Sequence, residues 1–521
     1  MNLVIVHYHL RPGGIRRIIE LATPHLVREA PRTVTGVVLA TGQAADRKWH
    51  ASFEKQLGGL PVAVFIEHAF NYVSEQRADV DGVRRKLRRA LVKLLAESDA
   101  ANCLVWAHNL GVARNLILTR ELVRACDERG VPLIAHHHDW WFDNRWLRWP
   151  EMKRFGVRTL ESAARTIFPT SPRVRHISIN HADALILERH FDKRAGWLPN
   201  LTGRTDPPAR ARLREARLWL QRKLKSDAPV WILPCRLLRR KNVAEALLLK
   251  RWLRPEAWLI TTGGVSSADE QLYANKLAAG AHRHHWRLRL GVLSGDETRK
   301  PSVAELLAVS EVVMLTSIQE GFGLPYLEAV TSRRPLIARS IPNIAPDLEK
   351  FGFEFPQYYE EIFVDPRLFD WRAEQQRQVK LFCAWRQHLP GACRRWISEA
   401  VLLAAGSRPQ PVPFSRLTLT AQLELLAQPA PESWGLCAPL NSFLPVWKKR
   451  AAHGRLRLTR WPGTADDWLS GPAYGHRFHE LLHAEVEGSP SVSAGVAAQN
   501  EFIRAKLDAA HLFPLLWSKQ S

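Results

Sequence analysis

Short apolar runs rich in β-branched residues alternate with helix-period segments along this chain, stop, and then begin again. Such runs, set between helices, are the pattern of strands buried on both faces of a parallel sheet, because crossover helices cover both sides. In the first half the spacing predicts strands at Leu3 to His7, Thr33 to Leu39, Val62 to Ile66, Asn102 to Ala107, Leu133 to His137 and Thr166 to Pro169. Around Thr202 to Asp227 the alternation lapses into Gly203, Pro207, Pro208 and a charged helical stretch. It restarts with strands expected at Val230 to Pro234, Trp258 to Thr262, Arg287 to Val292, Glu311 to Leu315 and Pro335 to Ala338. The reading is α/β, with two doubly wound parallel-sheet domains at 1–202 and 228–364 joined by a linker at 203–227. From Asp365 the alternation ends, so 365–521 is read as a mostly helical cross-over and C-terminal extension. Its last helical stretch, Glu501 to Leu516, carries Phe502, Ile503, Leu507 and Leu512, which need a surface to bury against.

Charge narrows the partners. Lys and Arg number 74 against 51 Asp and Glu, a formal net charge of +23, and 56 of the basic residues are Arg. They lie along most of the chain instead of on one element, and no nucleic-acid-binding motif accompanies them, so no nucleic-acid partner is expected. Phosphate-bearing ligands suit this balance. Residues Asp81 to Ala96 read as an amphipathic helix with Leu87, Leu91, Leu94 and Leu95 opposite Arg84, Arg85, Lys86, Arg88, Arg89 and Lys93. A solvated surface helix is the favoured reading; peripheral contact with an anionic membrane is the rival one. Six cysteines without a CxxC indicate neither a disulfide framework nor a zinc module, which suits a reducing compartment. The N-terminus lacks a basic n-region, its apolar run breaks at His7, and no stretch approaches the length of a spanning helix, so a cytoplasmic location is expected.

Chemistry concentrates in a few loops that follow strands. Ser317-Ile318-Gln319-Glu320-Gly321-Phe322-Gly323-Leu324-Pro325-Tyr326-Leu327-Glu328 follows one strand and opens a helix. Its glycines leave backbone N–H groups approachable at a helix N-terminus, an anion site, between two carboxylates about two helical turns apart. A phosphate flanked by hydroxyl-gripping carboxylates fits that spacing. Pro234-Cys235-Arg236-Leu237-Leu238-Arg239-Arg240-Lys241-Asn242 follows another strand, at the carboxyl end where doubly wound sheets bind ligands. Strand Leu3 to His7 leads into Arg11-Pro12-Gly13-Gly14-Ile15, which is not the G-x-G-x-x-G of a dinucleotide fold. Ala135-His136-His137-His138-Asp139 suggests metal by composition, yet adjacent strand residues alternate faces and cannot all converge on one ion, so no metal site is expected. Ala107-His108-Asn109-Leu110-Gly111 also follows a strand, where a buried capping His is as good a reading of His108 as a ligand-binding one.

The Glu320 to Glu328 segment resembles the E-x7-E signature of family 4 retaining glycosyltransferases, two-domain enzymes of the GT-B fold. The resemblance runs over about Met1 to Phe353 and includes Pro199-Asn200, similar to the pair that closes the family's first domain; Leu201-Thr202 departs from the family's usual continuation. It implies that Glu320 binds the donor sugar, that Gly321, Phe322, Gly323 and Leu324 bind phosphate and sugar, and that Glu328 holds the ribose. It implies too that Arg236 and Lys241 neutralise the donor diphosphate, faced by the backbone of Gly13 and Gly14, and that His138, or alternatively His137, reaches the donor sugar. His108, Asn109, Asp143 and Arg145 are the acceptor-side candidates.

The expected activity is sugar transfer from a nucleotide-diphosphate sugar to an acceptor hydroxyl with retention, the co-substrate standing in place of any cofactor. The acceptor is a glycan, a lipid-linked molecule or a small molecule. The alternative is a catalytically inactive relative that acts as a binding or scaffold protein; the intact Glu320, Glu328, Arg236 and Lys241 argue against it.

Overall fold

The computed structural model describes all residues except 77, 78, 97, 100, 203–206, 266, 296, 298, 405, 407, 487 and 518–521. The start of the expected linker, 203–206, thus lies outside the described residues. The chain forms two compact units, Met1–Gly203 with His388–Trp396 and Gly463–Lys506, and Arg204–Gln387 with Ile397–Pro462 and Leu507–Ser521. The segment after Asp365 is therefore shared between both units.

The first unit is built on a parallel sheet of β1 (Asn2–Val6), β2 (Gly36–Thr41), β3 (Val62–Ile66), β4 (Cys103–His108), β5 (Leu133–His137), β6 (Val174–Ser178) and β7 (Ala195–Trp197), in the order β3-β2-β1-β4-β5-β6-β7. Every residue of β4 and β5 is buried, as expected of strands covered by helices on both faces. The order reverses between β1 and β4, which pair in register from Asn2 with Cys103 to Val6 with Ala107. The strand expected at Thr166 to Pro169 is absent; Thr166 and Ile167 instead end the helix Leu160–Ile167, and Phe168 caps it. There Thr159 and Ser162 form a reciprocal capping box that nucleates the helix, and the strand falls on Val174–Ser178, all but Arg175 of it buried. One apolar layer packs Leu3, Ile5, Ile18, Ile19 and Trp106 against Tyr474 and Phe478 of the helix Gly471–His483, far along the chain.

The second unit repeats the plan with β8 (Val230–Leu233), β9 (Trp258–Thr261), β10 (Leu288–Arg289), β11 (Val312–Leu315), β12 (Leu336–Arg339) and β13 (Tyr358–Tyr359), ordered β10-β9-β8-β11-β12-β13 and all parallel. Its reversal lies between β8 and β11. A two-stranded antiparallel pair, β14 (Phe363–Val364) with β15 (Val412–Pro413), belongs to the same unit. Its core joins Trp231, Leu247, Trp252 and Tyr273 to Leu425, Trp447, Phe513 and Leu515 from the C-terminal third. The apolar face expected between Glu501 and Leu516 is covered: Phe502, Ile503 and Leu507 are fully buried. Among the described residues no helix is long and apolar enough to cross a membrane.

Candidate functional site

In a doubly wound sheet the loops leaving two adjacent strands diverge where the strand order reverses, and the opening between them is where ligands bind. In the second unit those loops follow β8 and β11, and they carry the two most specific sequence motifs. They are tied together by the Ile318 N–H, which donates to the Arg240 carbonyl at 2.9 Å, and by the Thr316 hydroxyl, which donates to the carbonyls of Lys241 and Asn242 at 3.0 and 3.1 Å. Asn242 closes the basic turn at φ 46°, a left-handed conformation that Asn tolerates.

Glu320 is the focus of this pair of loops. Its carboxylate receives the Arg240 guanidinium at 2.6 Å on one oxygen and the Lys241 ammonium on the other, while Asn343 donates to its carbonyl at 3.1 Å. Burial would raise its pKa; the Arg240 and Lys241 charges outweigh that and lower it to about 2. Glu320 is thus a fixed anion aimed by two cations. Arg239 pairs with Glu270 at 3.2 Å. Arg236 is exposed, and among the described residues its side chain has no hydrogen-bond or ion-pair partner. The loops keep an excess of positive charge over Glu320 and Glu270.

Gly323, at φ 77°, starts the helix Leu324–Thr331, which has no side-chain cap. Pro325 carries no N–H and the Tyr326 N–H donates to the Gly323 carbonyl at 3.0 Å, so among the described residues of this first turn it is the Leu324 N–H that is left to another acceptor. Glycine is required here: a Cβ would lie 2.7 Å from the Tyr326 ring. Phe322 is buried, while Gly321, Leu324 and Glu328 are half-buried on this loop and helix.

In the first unit the matching reversal lies between β1 and β4. Gly13, at φ 168°, is in extended backbone that any residue adopts, a Cβ there would come no nearer than 3.9 Å to its neighbours, and one on Gly14 would meet nothing within 4 Å. The fold does not need these glycines; they leave open space over the uncapped N-terminus of the helix Gly14–Arg28. The three consecutive histidines split as strand geometry demands. His137 turns to one face, where it shares a 3.2 Å hydrogen bond with His176 and stacks on Trp140. His136 and His138 turn to the other. There the β4–β5 register sets His108 beside His136, and His108 Nδ1 lies 3.1 Å from His138 Nε2.

His108, His136 and His138 could bring one nitrogen each to within 4.8 Å of one another, a gathering that sequence spacing hid because His108 is on another strand. The fit to a metal is nevertheless poor. The Trp106 indole donates to His136 Nδ1 at 3.3 Å, so the neutral ring carries its proton on Nε2 and offers no lone pair. Burial is the main cause that lowers His7 to about 3 and His138 to about 4, Asp139 opposing it at His138, and that pushes His108, His136 and His137 well below the usual range. The cluster is a set of neutral rings in which His108 and His138 share a hydrogen bond, while Nε2 of His108 and of His136 has no hydrogen-bond partner among the described residues.

The acceptor-side candidates hold their own loop together. Asn109, at φ 63°, accepts the N–H groups of His138 and Asp139 at 3.3 and 3.1 Å. Arg145 donates to the Trp140 carbonyl at 3.1 Å and pairs with Asp139 at 3.3 Å. Asp143 accepts the Trp140 N–H at 2.7 Å and pairs with Lys506 at 3.0 Å. Lys506 is half-buried; desolvation works against its charge, but Asp143 and Asp183 outweigh it and hold the ammonium ionised. Arg240 and Lys506 escaped sequence reasoning. Arg240 is one of three successive basic residues, and only the fold says which turns back onto Glu320. On the helix Val80–Leu94, Arg84 and Arg88 turn to Glu121 at 3.8 and 2.8 Å, so part of its basic face is neutralised within the unit.

No family model matches the chain. It is 21% identical over 351 residues to a mannosylglucosyl-3-phosphoglycerate synthase of Petrotoga mobilis, covering 66% of each chain. It is 24% identical over 248 residues to a mannosylglucosylglycerate synthase of Thermotoga maritima, covering 44% of this chain and 56% of that one. The chain thus spans just under two thirds or less of the length of these curated relatives. Among solved structures, Anabaena HepE in complex with UDP and glucose superposes with a TM-score of 0.53 at 15% identity, over 93% of this chain and 100% of that one. A glycosyltransferase from Rickettsia africae superposes with a TM-score of 0.50 at 10% identity, over 93% and 99%. At such identities the likeness concerns the fold, which is GT-B: two Rossmann-like parallel-sheet domains.

Proposed function

We propose that this protein is a glycosyltransferase that moves a hexose from a nucleotide-diphosphate sugar to an acceptor hydroxyl with retention at the anomeric carbon, and that it does so without a metal. The observation that carries the reading is Glu320, a buried carboxylate kept charged by Arg240 and Lys241 where the loops after β8 and β11 meet, next to an uncapped helix N-terminus. A carboxylate and a cluster of positive donors side by side suit a ligand that joins a sugar hydroxyl to a diphosphate. Two further supports are the relatives' names, both those of synthases of mannosylglucosyl compounds, and the UDP and glucose bound by the structural neighbour.

In this reading Glu320 accepts hydrogen bonds from donor-sugar hydroxyls, the N–H groups of Gly321 to Leu324 and the side chains of Arg236 and Lys241 meet the diphosphate, and Glu328 accepts from the ribose. The acceptor hydroxyl attacks the anomeric carbon from the face that the diphosphate leaves. The new C–O bond forms as the bond to the β-phosphate oxygen breaks; that oxygen keeps the electron pair, and a phosphate oxygen takes the hydroxyl proton. Charge grows on the leaving diphosphate, so its cations stabilise the transition state more than the ground state. To His138, a neutral ring, this reading assigns a hydrogen bond with the donor sugar.

The test is binding. A nucleoside diphosphate that binds only the folded chain stabilises it by about 2.7 kcal/mol at a hundredfold excess over Kd, which raises the melting temperature. UDP, GDP and ADP compared at millimolar concentration should give a clear rise for one of them; no rise for any removes the donor site.

A further inference from the structure

We propose that the first domain carries a second anion site, at Arg114 and Arg148, that takes the phosphate group of a soluble phosphorylated acceptor. This rests on the glycosyltransferase reading, in which the donor diphosphate is held by the second domain. Arg114 and Arg148 are assigned no role there.

Arg148 stands out among the buried arginines of the chain. Arg194, Arg339 and Arg416 each donate to a carbonyl or a carboxylate. Arg148 is 8% exposed, yet its Nε and Nη1 have no hydrogen-bond acceptor among the described residues, and its ion-pair partner Glu151 stands 3.6 Å off. A buried guanidinium without acceptors is costly, and a bound oxyanion supplies what it lacks. Burial first, then the charges of Arg114 and Arg145, pull Arg148 down to about 9, against the opposing charge of Glu151. Proteins gather cations in this way where an anion will compensate them.

Arg114 completes the geometry. It follows the left-handed pair Asn109 and Ala113 in the loop after β4, and its guanidinium carbon lies 4.6 Å over the Tyr72 ring. It is half-buried, and its side chain has no hydrogen-bond acceptor among the described residues. Tyr72 is fixed in turn by His9, which follows β1, at 2.9 Å. A guanidinium stacked on a fixed ring loses little freedom when its planar fork meets a phosphate. Arg114 and His9 leave neighbouring strands at the point where the strand order reverses, the position in the first sheet that the Lys241 and Glu320 loops occupy in the second.

Calorimetric titration of the full chain tests this, with UDP saturating so that the donor site is filled. Glucose 6-phosphate should bind the parent protein and glucose should not. Arg114→Gln should weaken glucose 6-phosphate by about tenfold to hundredfold, the loss of charge-assisted hydrogen bonds, while UDP affinity and melting temperature stay as in the parent. Arg114→Lys, which keeps the charge but loses the fork, should recover only part and guards against misfolding of the first variant. Unchanged glucose 6-phosphate affinity in Arg114→Gln, no binding to the UDP-saturated parent, or capture only by phosphatidic acid vesicles would each overturn the site. If UDP itself does not bind, the glycosyltransferase reading fails separately, and the phosphate titration without UDP still decides on Arg114.

Discussion

Lowering the pH from about 7.5 to about 5.5 should unfold the first domain and spare the second. Burial depresses His7 to about 3 and both His138 and His176 to about 4, and drives His108, His136 and His137 well below their ordinary 6.5. A histidine held neutral in the fold takes its proton only in the unfolded chain. Its contribution is therefore whole above pH 6.5 and is lost as the pH falls from there towards 4. One pH unit below 6.5, each such group costs about 1.4 kcal/mol, so the three with values of 3 or 4 cost about 4 kcal/mol and all six about 8 kcal/mol. That rivals the 5 to 15 kcal/mol that holds a typical domain folded, roughly. The second domain buries no histidine among its described residues. Its Glu320, lowered to about 2, loses its contribution only as the pH falls through 4.5. Hydrogen exchange read peptide by peptide should show the first unit opening near pH 5.5 while strands β8 to β12 stay protected, and unfolding at that pH should take up several protons. Equal loss of protection in both units, or uptake of less than about two protons, would refute the argument that buried neutral rings set the acid limit.

Arg236 and Lys241 should separate function from stability. Arg236 is exposed and unpartnered among the described residues, so Arg236→Ala should leave the melting temperature nearly unchanged and lower kcat by about a hundredfold to a thousandfold, read by steady-state kinetics of donor hydrolysis. Lys241→Ala should cost stability as well, about 3 kcal/mol by denaturant titration, because it strips one cation from the buried Glu320 carboxylate. Chelation should leave turnover intact; activity lost in EDTA and restored by Mn²⁺ would return the His108, His136 and His138 cluster to consideration as a ligand set.

What the chain alone determined was periodicity and order. Unbroken apolar runs between amphipathic segments can be satisfied only by parallel strands covered on both faces, so two doubly wound sheets, and loops of interest at their strand ends, follow from local chemistry. The same logic foresaw that His137 and His138 part to opposite faces. Where two local patterns competed the reading failed: Thr166 to Pro169 is apolar enough for a strand, but the upstream capping box between Thr159 and Ser162 commits the segment to a helix. Everything that depends on register or on distant pairing was decided by the tertiary structure. His108 joins His138 because β4 and β5 align it beside His136, and a shift of one residue would turn it to the other face. Arg240, not Arg239, meets Glu320 because a turn closed by Asn242 directs it there. Lys506 neutralises Asp143 across more than half the chain, a pairing no spacing rule can encode, because burying a charge selects whichever partner the finished fold brings near.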